Sequence, residues 1–330
     1  MVRIKSLIIL STLLMAAVQM FAQGPNNSGT YYQQADGNKG QALKTALYGI
    51  IKEHGELGYG ELWEAFKSTD AREDGKVWDM YSGITNYNFV TSGSNYKKEG
   101  DCYNREHSMP KSWFNDETPM YTDLVHLVPT DGYVNGKRGN NPFGETNSPT
   151  YTSEGGFSKL GPSSIAGYSG TVFEPNDEYK GDFARIYFYM VTCYEDKVST
   201  WESDMLDHNS YPAFTDWALG MLLRWAEEDP VSKKEIDRNN AVYSIQGNRN
   251  PYVDYPGLEQ YVWGNMKEMA FSYDNYSTGI TVTVPTKDIS DVDVYTITGV
   301  KVRSDINPGQ ATEGLDKGVY IIGKKKYVVK

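Results

Sequence analysis

Residues 104–114 of the chain read NREHSMPKSWF, and residues 122–141 read TDLVHLVPTDGYVNGKRGNN. Pro110 predicts the end of a strand that carries the first motif, because proline cannot donate to the ladder of a sheet. Asp131 predicts the N-cap of a helix, because its short carboxylate can accept from the free backbone amides of the first turn. These signals predict a strand, a connecting segment and a helix around a dense cluster of reactive side chains.

Hydrolysis of a phosphodiester needs a base, a metal ion and cations that hold the phosphate, and this region offers all three. His107 suits the base because an unperturbed imidazole titrates near neutrality. Glu106 and Asn135 supply hard oxygen ligands of the kind that Mg²⁺ takes in proteins. The cations available for phosphate are Arg105, Lys111, Lys137 and Arg138.

Each of these residues also has an ordinary structural explanation. A histidine near a proline is usually a structural hydrogen-bonding group, and Asn135 could serve a Val-Asn-Gly turn. The cations could be solvated partners of surface carboxylates. A zinc site formed by His107 and His126 is a further alternative, although the region has no HExxH spacing. The clustering of the residues, and no single one of them, favours catalysis.

The segments REHSMPKSW, DLVHLVPTDGYVNGKRGNNPFG, GDFARIYFYM, LLRWAEEDPVSKKEIDRNNAVY and QGNRNPYVDYP resemble the endonuclease I family of secreted or periplasmic bacterial nucleases. The resemblance spans roughly residues 42–265. It implies a ββα-metal (His-Me finger) core in which His107 is the general base. Glu106 and Asn135 would hold Mg²⁺, with Mn²⁺ or Ca²⁺ as candidate replacements.

The resemblance also implies a substrate and a further catalytic residue. The expected substrate is DNA, cut with little sequence preference to 5′-phosphorylated products, and often RNA as well. Relatives place an arginine near the scissile phosphate; Arg138 is the first candidate here and Arg249 the second.

The chain departs from the family pattern at two positions. Val125 stands where relatives commonly carry a second histidine, which leaves His126 alone, and Tyr255 replaces another histidine. We therefore expect His126, like Asp131, to support the site rather than to act in it.

The two ends of the chain predict export. Residues 1–22 combine Arg3 and Lys5 with a short apolar run, which is typical of a secretory signal peptide; a transmembrane anchor is the alternative. Residues 23–38 are rich in Gly, Asn and Gln and predict a flexible segment. In an exported chain the two cysteines, Cys102 and Cys193, could form a disulfide, and the sequence leaves that open.

The remaining chain predicts an α+β protein. The spacing of apolar residues predicts helices over 43–51, 59–66, 183–194 and 214–225, and a charged segment predicts another at 231–243. Together they predict a mainly helical nuclease domain, 39–270, around the small ββα-metal centre. Residues 77–81 predict a short strand, and residues 144–180 an irregular loop. Residues 271–330 alternate apolar and polar residues between Gly-containing turns and predict a small all-β module.

The C-terminal module resembles the sorting domains of type IX secretion cargo through VDVYTITGVKV and GVYIIGKKKYVVK. The resemblance implies that secretion machinery is a partner and that the protein crosses the outer membrane to be released or displayed. A plain β-rich binding appendage is the alternative.

The net charge of −11 at first argues against a polyanionic substrate. A metal ion and local cations can nevertheless dominate the field at a site. The main rival function is a secreted glycan-binding or adhesive protein that uses the 26 tyrosines on a nuclease-like scaffold; a hydrolase of another phosphoester is the second rival. The sequence favours a monomeric, secreted, Mg²⁺-dependent endonuclease.

Overall fold

A computed structural model describes residues 24–274, 276, 292–296, 301–306, 315, 318–322 and 325–329. Contacts divide the chain into two compact units, residues 1–278 and 279–330. The larger unit combines helices with small antiparallel sheets, which confirms the predicted α+β class. The predicted signal peptide lies outside the described residues, and the predicted domain limits stay predictions.

The predicted ββα unit is present at the centre of the larger unit. Strand β1 (Tyr103–His107) pairs antiparallel with β2 (Leu127–Asp131), and helix α3 (Gly132–Arg138) follows β2 without a loop. Asp131 caps this helix as predicted, because its Oδ1 accepts from the backbone amide of Val134 at 2.8 Å. The cap fixes the direction in which α3 leaves the strand pair.

Among residues 24–274 seven further helices lie around this unit: α1 (Gly40–Ile51), α2 (Leu62–Thr69), α4 (Lys180–Cys193), α5 (Asp216–Glu228), α6 (Lys233–Gln246), α7 (Pro251–Asp254) and α8 (Leu258–Val262). Helix α4 is the core of the domain, because every one of its residues is buried against α1, α5, α7 and their neighbours. Its polar residues are paired inside the protein; Arg185 donates to Glu235 through Nη2 at 2.8 Å. Helix α6 begins in a capping box formed by Ser232 and Glu235.

Three local predictions differ from the structure. Residues 77–81 form no strand, because the Asp79 carboxylate accepts from the amides of Tyr81 and Ser82 and turns the chain. Residues 144–180 contain a three-stranded antiparallel sheet of β3 (Tyr151–Thr152), β4 (Lys159–Pro162) and β5 (Thr171–Glu174). Of the segment predicted to be flexible, residues 24–38 are described and pack against the domain, where Tyr32 is fully buried and donates to Asp254 at 2.7 Å.

The smaller unit contains a four-stranded antiparallel sheet in the order β7-β6-β8-β9. Its strands are β6 (Val292–Thr296), β7 (Lys301–Ile306), β8 (Gly318–Ile322) and β9 (Lys325–Val329). Residues 280–284 of the predicted all-β module lie outside the described residues. Within the part of the chain that the structure covers, none of the helices is both long enough and apolar enough to cross a bilayer.

Both cysteines are free thiols, so the disulfide considered from the sequence is absent. Cys193 lies in the buried helix α4, where its Sγ is 3.5 Å from the carbonyl oxygen of Ile51. Cys102 precedes β1, and its carbonyl oxygen accepts from the amide of Gly132. Each thiol therefore occupies its own packed environment.

Candidate active site

Glu106 is the carboxylate at the centre of the ββα unit. The side chain is only 5% exposed, and its Oε1 accepts from the Tyr81 hydroxyl at 2.8 Å and from Nη1 of Arg138. Burial raises the pKa of this carboxyl above its usual value, and the neighbouring Arg138 opposes that effect. The guanidinium thus makes an ionised carboxylate tolerable inside the protein.

Asn135 faces the same side of β1 from helix α3. Its Nδ2 donates to Oδ1 of Asn104 at 2.7 Å, and its side chain helps to lower the pKa of the Glu106 carboxyl group. Asn104 and Glu106 are two residues apart on β1, so they point to one face of the strand. Strand and helix together gather carboxylate and amide oxygens, which is a donor set that fits a hard divalent cation such as Mg²⁺.

His107 is the last residue of β1 and belongs to a separate set of contacts. Its Nε2 lies 3.0 Å from the carbonyl oxygen of Tyr121. A carbonyl oxygen only accepts, so Nε2 carries the proton and Nδ1 keeps its lone pair. Burial lowers the pKa of His107 to about 3, with the neighbouring His126 as the second cause. The imidazole is therefore neutral, with one nitrogen free to accept a proton.

His126 lies behind His107, with 5.6 Å between the two ring centroids. It is fully buried, and its Nε2 lies 2.7 Å from the carbonyl oxygen of Met120. Burial lowers the pKa of this imidazole as well. Solvent does not reach the ring, which agrees with a supporting position. Both histidines direct Nε2 to a main-chain carbonyl, so neither Nε2 is available to a zinc ion.

Arg105 shares the His107 face of β1 and is partly exposed. Its guanidinium carbon lies 3.5 Å from the ring centroid of Tyr59 and 4.3 Å from that of Trp63. Its Nη1 donates to the Tyr59 carbonyl oxygen at 2.6 Å. The Tyr59 ring in turn stacks against His107, with centroids 6.0 Å apart. Arg105 is thus held one aromatic ring away from the imidazole.

Two lysines predicted to contact phosphate lie on the surface near the unit. Lys111 pairs with Asp116 at 2.7 Å, and its Nζ is 5.5 Å from the ring centroid of Tyr121. Lys137 is exposed on α3, with its Nζ 5.0 Å from the ring centroid of Tyr133. Neither Lys137 nor Arg105 forms an ion pair with any other described residue.

Arg138 does not occupy the position predicted for a phosphate-binding arginine. Its side chain has no exposed surface, and its guanidinium contacts Glu106, the Tyr81 hydroxyl and the Ser108 carbonyl oxygen. All three partners are protein groups inside the core. A direct contact with a substrate phosphate is therefore incompatible with this structure.

Arg249 is likewise excluded from a phosphate contact. It is 2% exposed and pairs with Asp254 through Nε at 2.7 Å and Nη2 at 2.8 Å. The same Nη2 donates to Oδ1 of Asn240. These contacts join α6 to α7 and include no residue of the ββα unit, so Arg249 has a structural role.

Three contributors to the site escaped the sequence reasoning. Asn104, two residues before Glu106, follows from the strand period and could have been found. Tyr81 lies 25 residues before Glu106 in the chain, and no sequence pattern near either residue predicts their hydrogen bond. Tyr121 acts through its main-chain oxygen, which any residue type would supply.

A second group of metal-capable side chains lies elsewhere in the domain. His54, Asp123 and Cys193 place their ligand atoms within 4.8 Å of one another. The Asp123 carboxylate is already saturated, because Oδ2 accepts from the hydroxyls of Tyr189 and Tyr194 and Oδ1 from two N–H groups. This group therefore fits a buried hydrogen-bond centre and not a metal site.

Comparison with known proteins adds an independent observation. The family model described as Endonuclease I matches residues 39–257. An extracellular ribonuclease of Bacillus amyloliquefaciens is 37% identical over 242 residues, which cover 71% of this chain and 78% of that protein. An extracellular ribonuclease of Bacillus subtilis (strain 168) is 34% identical over 245 residues, or 72% and 79% of the two chains. An Endonuclease-1 of Buchnera aphidicola subsp. Baizongia pistaciae is 28% identical over 197 residues, covering 53% and 71%.

Proposed function

The chain belongs to the endonuclease I family, and from this premise we propose that it is a secreted, metal-dependent nuclease that hydrolyses phosphodiester bonds of DNA and RNA with little sequence preference. The observation that carries the proposal is the paired arrangement at the end of β1. There His107, whose Nε2 is bound to the Tyr121 carbonyl oxygen, stands next in sequence to the buried Glu106 carboxylate, and Asn135 of α3 bonds Asn104 on the same face of β1 as that carboxylate. RNA enters the proposal because the two Bacillus relatives are named ribonucleases.

His107 is the proposed general base. Its Nε2–H is fixed on the Tyr121 carbonyl, so Nδ1 accepts the proton of the attacking water. The oxygen of that water bonds to phosphorus, the bond from phosphorus to O3′ breaks, and the departing O3′ takes a proton from solvent, which gives a 5′-phosphate and a 3′-hydroxyl. Burial lowers the pKa of His107, so at every pH near 7 the imidazole is in the neutral form that can accept a proton.

Glu106 and Asn135 are the proposed ligands of Mg²⁺, with Mn²⁺ or Ca²⁺ as replacements. The ion, when bound, supplies Lewis-acid polarisation of the phosphate oxygens. The two side chains approach from strand and helix, so their separation depends on how α3 is held against β1. Asp131 contributes to that geometry as the cap of α3.

Arg105 is the proposed principal contact for a substrate phosphate, with Lys111 and Lys137 contributing from the surface. Arg105 is already oriented by Tyr59 and Trp63 and forms no ion pair within the described residues. A phosphate would therefore gain a charge-assisted hydrogen bond without first displacing a carboxylate.

The proposed location is outside the cell. Residues 1–22 would direct export and be removed, and residues 271–330 would engage a type IX secretion system for passage across the outer membrane. The signal-like sequence and the extracellular relatives support this proposal. The protein would act as a monomer.

Cleavage of supercoiled plasmid and of a defined RNA, with Mg²⁺ and then with excess EDTA, tests the activity. We expect cleavage of both substrates in Mg²⁺, its loss in EDTA, and a loss of at least about 100-fold in His107→Ala. His208→Asn is the matched control, because His208 is exposed at a turn with φ of 48°, which asparagine tolerates. Intact substrates in Mg²⁺, Mn²⁺ and Ca²⁺ would refute the nuclease and leave the glycan-binding alternative.

A further inference from the structure

The guanidinium of Arg138 is enclosed by protein groups. Nη1 donates to the Tyr81 hydroxyl at 2.7 Å and to Glu106, while Nη2 donates to the Ser108 carbonyl oxygen at 2.7 Å. The ring of Phe143 lies 4.1 Å below the guanidinium carbon. Any effect of Arg138 on the site must therefore pass through the residues that it contacts.

These contacts tie together the elements that form the site. Glu106 and Ser108 stand at the end of β1, and Arg138 is the last residue of α3, three positions after Asn135. The Tyr187 hydroxyl of α4 also contacts the Ser108 carbonyl oxygen, at 2.8 Å. Arg138 thus fixes the end of the strand against the helix that carries Asn135.

Tyr81 and Arg138 use the same oxygen of Glu106. Both donate to Oε1, and neither donates to Oε2. The Tyr81 hydroxyl accepts from Arg138 while it donates to Glu106, which closes a three-membered hydrogen-bonded ring of side chains. A carboxylate held by two donors on one oxygen cannot rotate freely, and its second oxygen keeps one direction.

Taking the metal site of the proposed function as its basis, we propose that Arg138 and Tyr81 are positioning residues for metal binding. They hold Oε1 of Glu106 and so leave Oε2 as a single preoriented ligand for a divalent cation. Hydrogen bonds to a ligating carboxylate set its orientation, and their loss typically lowers metal affinity by about 10–100-fold. Arg138 also balances the carboxylate charge in the absence of metal.

Tyr81→Phe and Tyr187→Phe form a matched pair that tests this proposal. Each removes one hydroxyl from a fully buried tyrosine that contacts Arg138, but only Tyr81 contacts Glu106. Mn²⁺ is titrated calorimetrically into the full chain without nucleic acid. We expect the Mn²⁺ Kd to rise about 10-fold or more in Tyr81→Phe, and to stay within about 2-fold of the wild-type value in Tyr187→Phe.

Arg138→Lys provides the second arm, because lysine keeps the charge and cannot make the same pair of contacts. We expect the Mg²⁺ concentration for half-maximal cleavage to rise while kcat at saturating Mg²⁺ recovers to within a few-fold of the wild type. If Arg138→Lys does not fold, the tyrosine pair decides alone. Equal effects in both tyrosine variants, or unchanged Mn²⁺ binding in Glu106→Gln, would overturn the proposal.

The readout separates this inference from the nuclease assignment. A wild-type chain that binds Mn²⁺ with the expected variant pattern but leaves DNA and RNA intact would refute the nuclease and retain the positioning role. A wild-type chain that cleaves without binding Mn²⁺ would refute the positioning role and retain the nuclease.

Discussion

The Nε2 atom of His107 lies 3.0 Å from the carbonyl oxygen of Tyr121, and that contact fixes which ring nitrogen can accept a proton. Tyr121 occupies the segment between β1 and β2, so the chain that connects the two strands also orients the imidazole of the first. The neutral tautomer is reinforced by burial, which lowers the pKa of His107 to about 3. The hydrogen bond therefore identifies Nδ1 as the basic atom, and burial keeps the ring neutral.

The first prediction concerns the pH dependence of cleavage. Because His107 stays neutral far below pH 6.5, we expect no step in kcat/KM with a midpoint between pH 6 and 7. The acid limb should instead follow Glu106, whose pKa burial raises from its usual value and which must be ionised to bind a cation. The measurement is kcat/KM from pH 5 to 8 at saturating Mg²⁺, with the NMR shifts of the His107 ring as an independent titration. A one-proton step near pH 6.5 in both would contradict the assignment.

The second prediction concerns stability. The folded state holds His107 neutral, whereas the unfolded chain protonates it near pH 6.5, so its contribution to stability is complete above pH 6.5 and falls as the pH drops toward 3. The loss is about 1.4 kcal/mol for each pH unit in that window. His107→Ala has no imidazole and should lack this pH-dependent loss. As the pH falls below 6.5, the free energy of unfolding of the variant should therefore rise relative to that of the wild type by about 1.4 kcal/mol for each pH unit.

Urea unfolding of both proteins at pH 7, 6 and 5 measures the shift. Comparison of the two proteins cancels the other titrating groups, among them Asp79, whose pKa burial raises to about 7. A difference in free energy of unfolding that is constant across these pH values would show that His107 titrates normally in the folded state.

The ββα unit could be predicted because residues close in sequence to its boundaries determine where its strand and helix end or begin. Pro110 follows the strand, and Asp131 caps the helix through the amide of Val134, three residues later. Strand 77–81 could not be excluded from local pattern, because the Asp79 carboxylate that turns it is also bonded to the amide of Asp131, 52 residues away. Local signals fail where a distant contact redirects the backbone.

The cations show the same limit. Arg138 and Arg105 look alike in sequence, as basic residues close to Glu106 and His107. One is fully buried on Glu106 and the other is half-buried between two aromatic rings. Which arginine meets substrate depends on packing with Tyr81, Phe143, and Tyr59, and none of these is adjacent in the chain.

The third prediction separates Arg105 from Arg249. Arg105→Ala should raise KM about 10-fold, the equivalent of about 1.4 kcal/mol for one charge-assisted contact, with little change in Tm. Arg249→Ala breaks a buried pair with Asp254 and should cost about 3–5 kcal/mol of stability. Its folded fraction should keep wild-type kcat and KM.

Steady-state kinetics and thermal unfolding on the same preparations give both quantities. The assignment would be wrong if Arg249→Ala raised KM while Tm was retained, or if Arg105→Ala left KM unchanged. Arg105→Lys adds a control, because it keeps the charge but loses the planar stacking against Tyr59.

The fourth prediction concerns the salt dependence of substrate binding. The chain carries a net charge of −11, and of the cations near the site Arg138 is buried on Glu106 while Lys111 is paired with Asp116. Arg105 and Lys137 can contact phosphate directly, and Lys111 can do so as a third cation if it gives up its pair with Asp116. With about two or three phosphates neutralised, log K should fall with log salt at a slope of about −2 to −3 on duplex DNA, and about −1.4 to −2 on single strands.

Fluorescence anisotropy with the non-cleaving His107→Ala variant, between 50 and 300 mM KCl, measures this slope. Lys137→Ala should reduce it by about one unit and weaken binding to all sequences alike, because phosphate contacts carry no sequence information. A slope of about −6 or steeper would require many further phosphate contacts. Further lysine and arginine side chains would then have to leave their carboxylate partners and contact phosphates, despite the negative net charge of the chain.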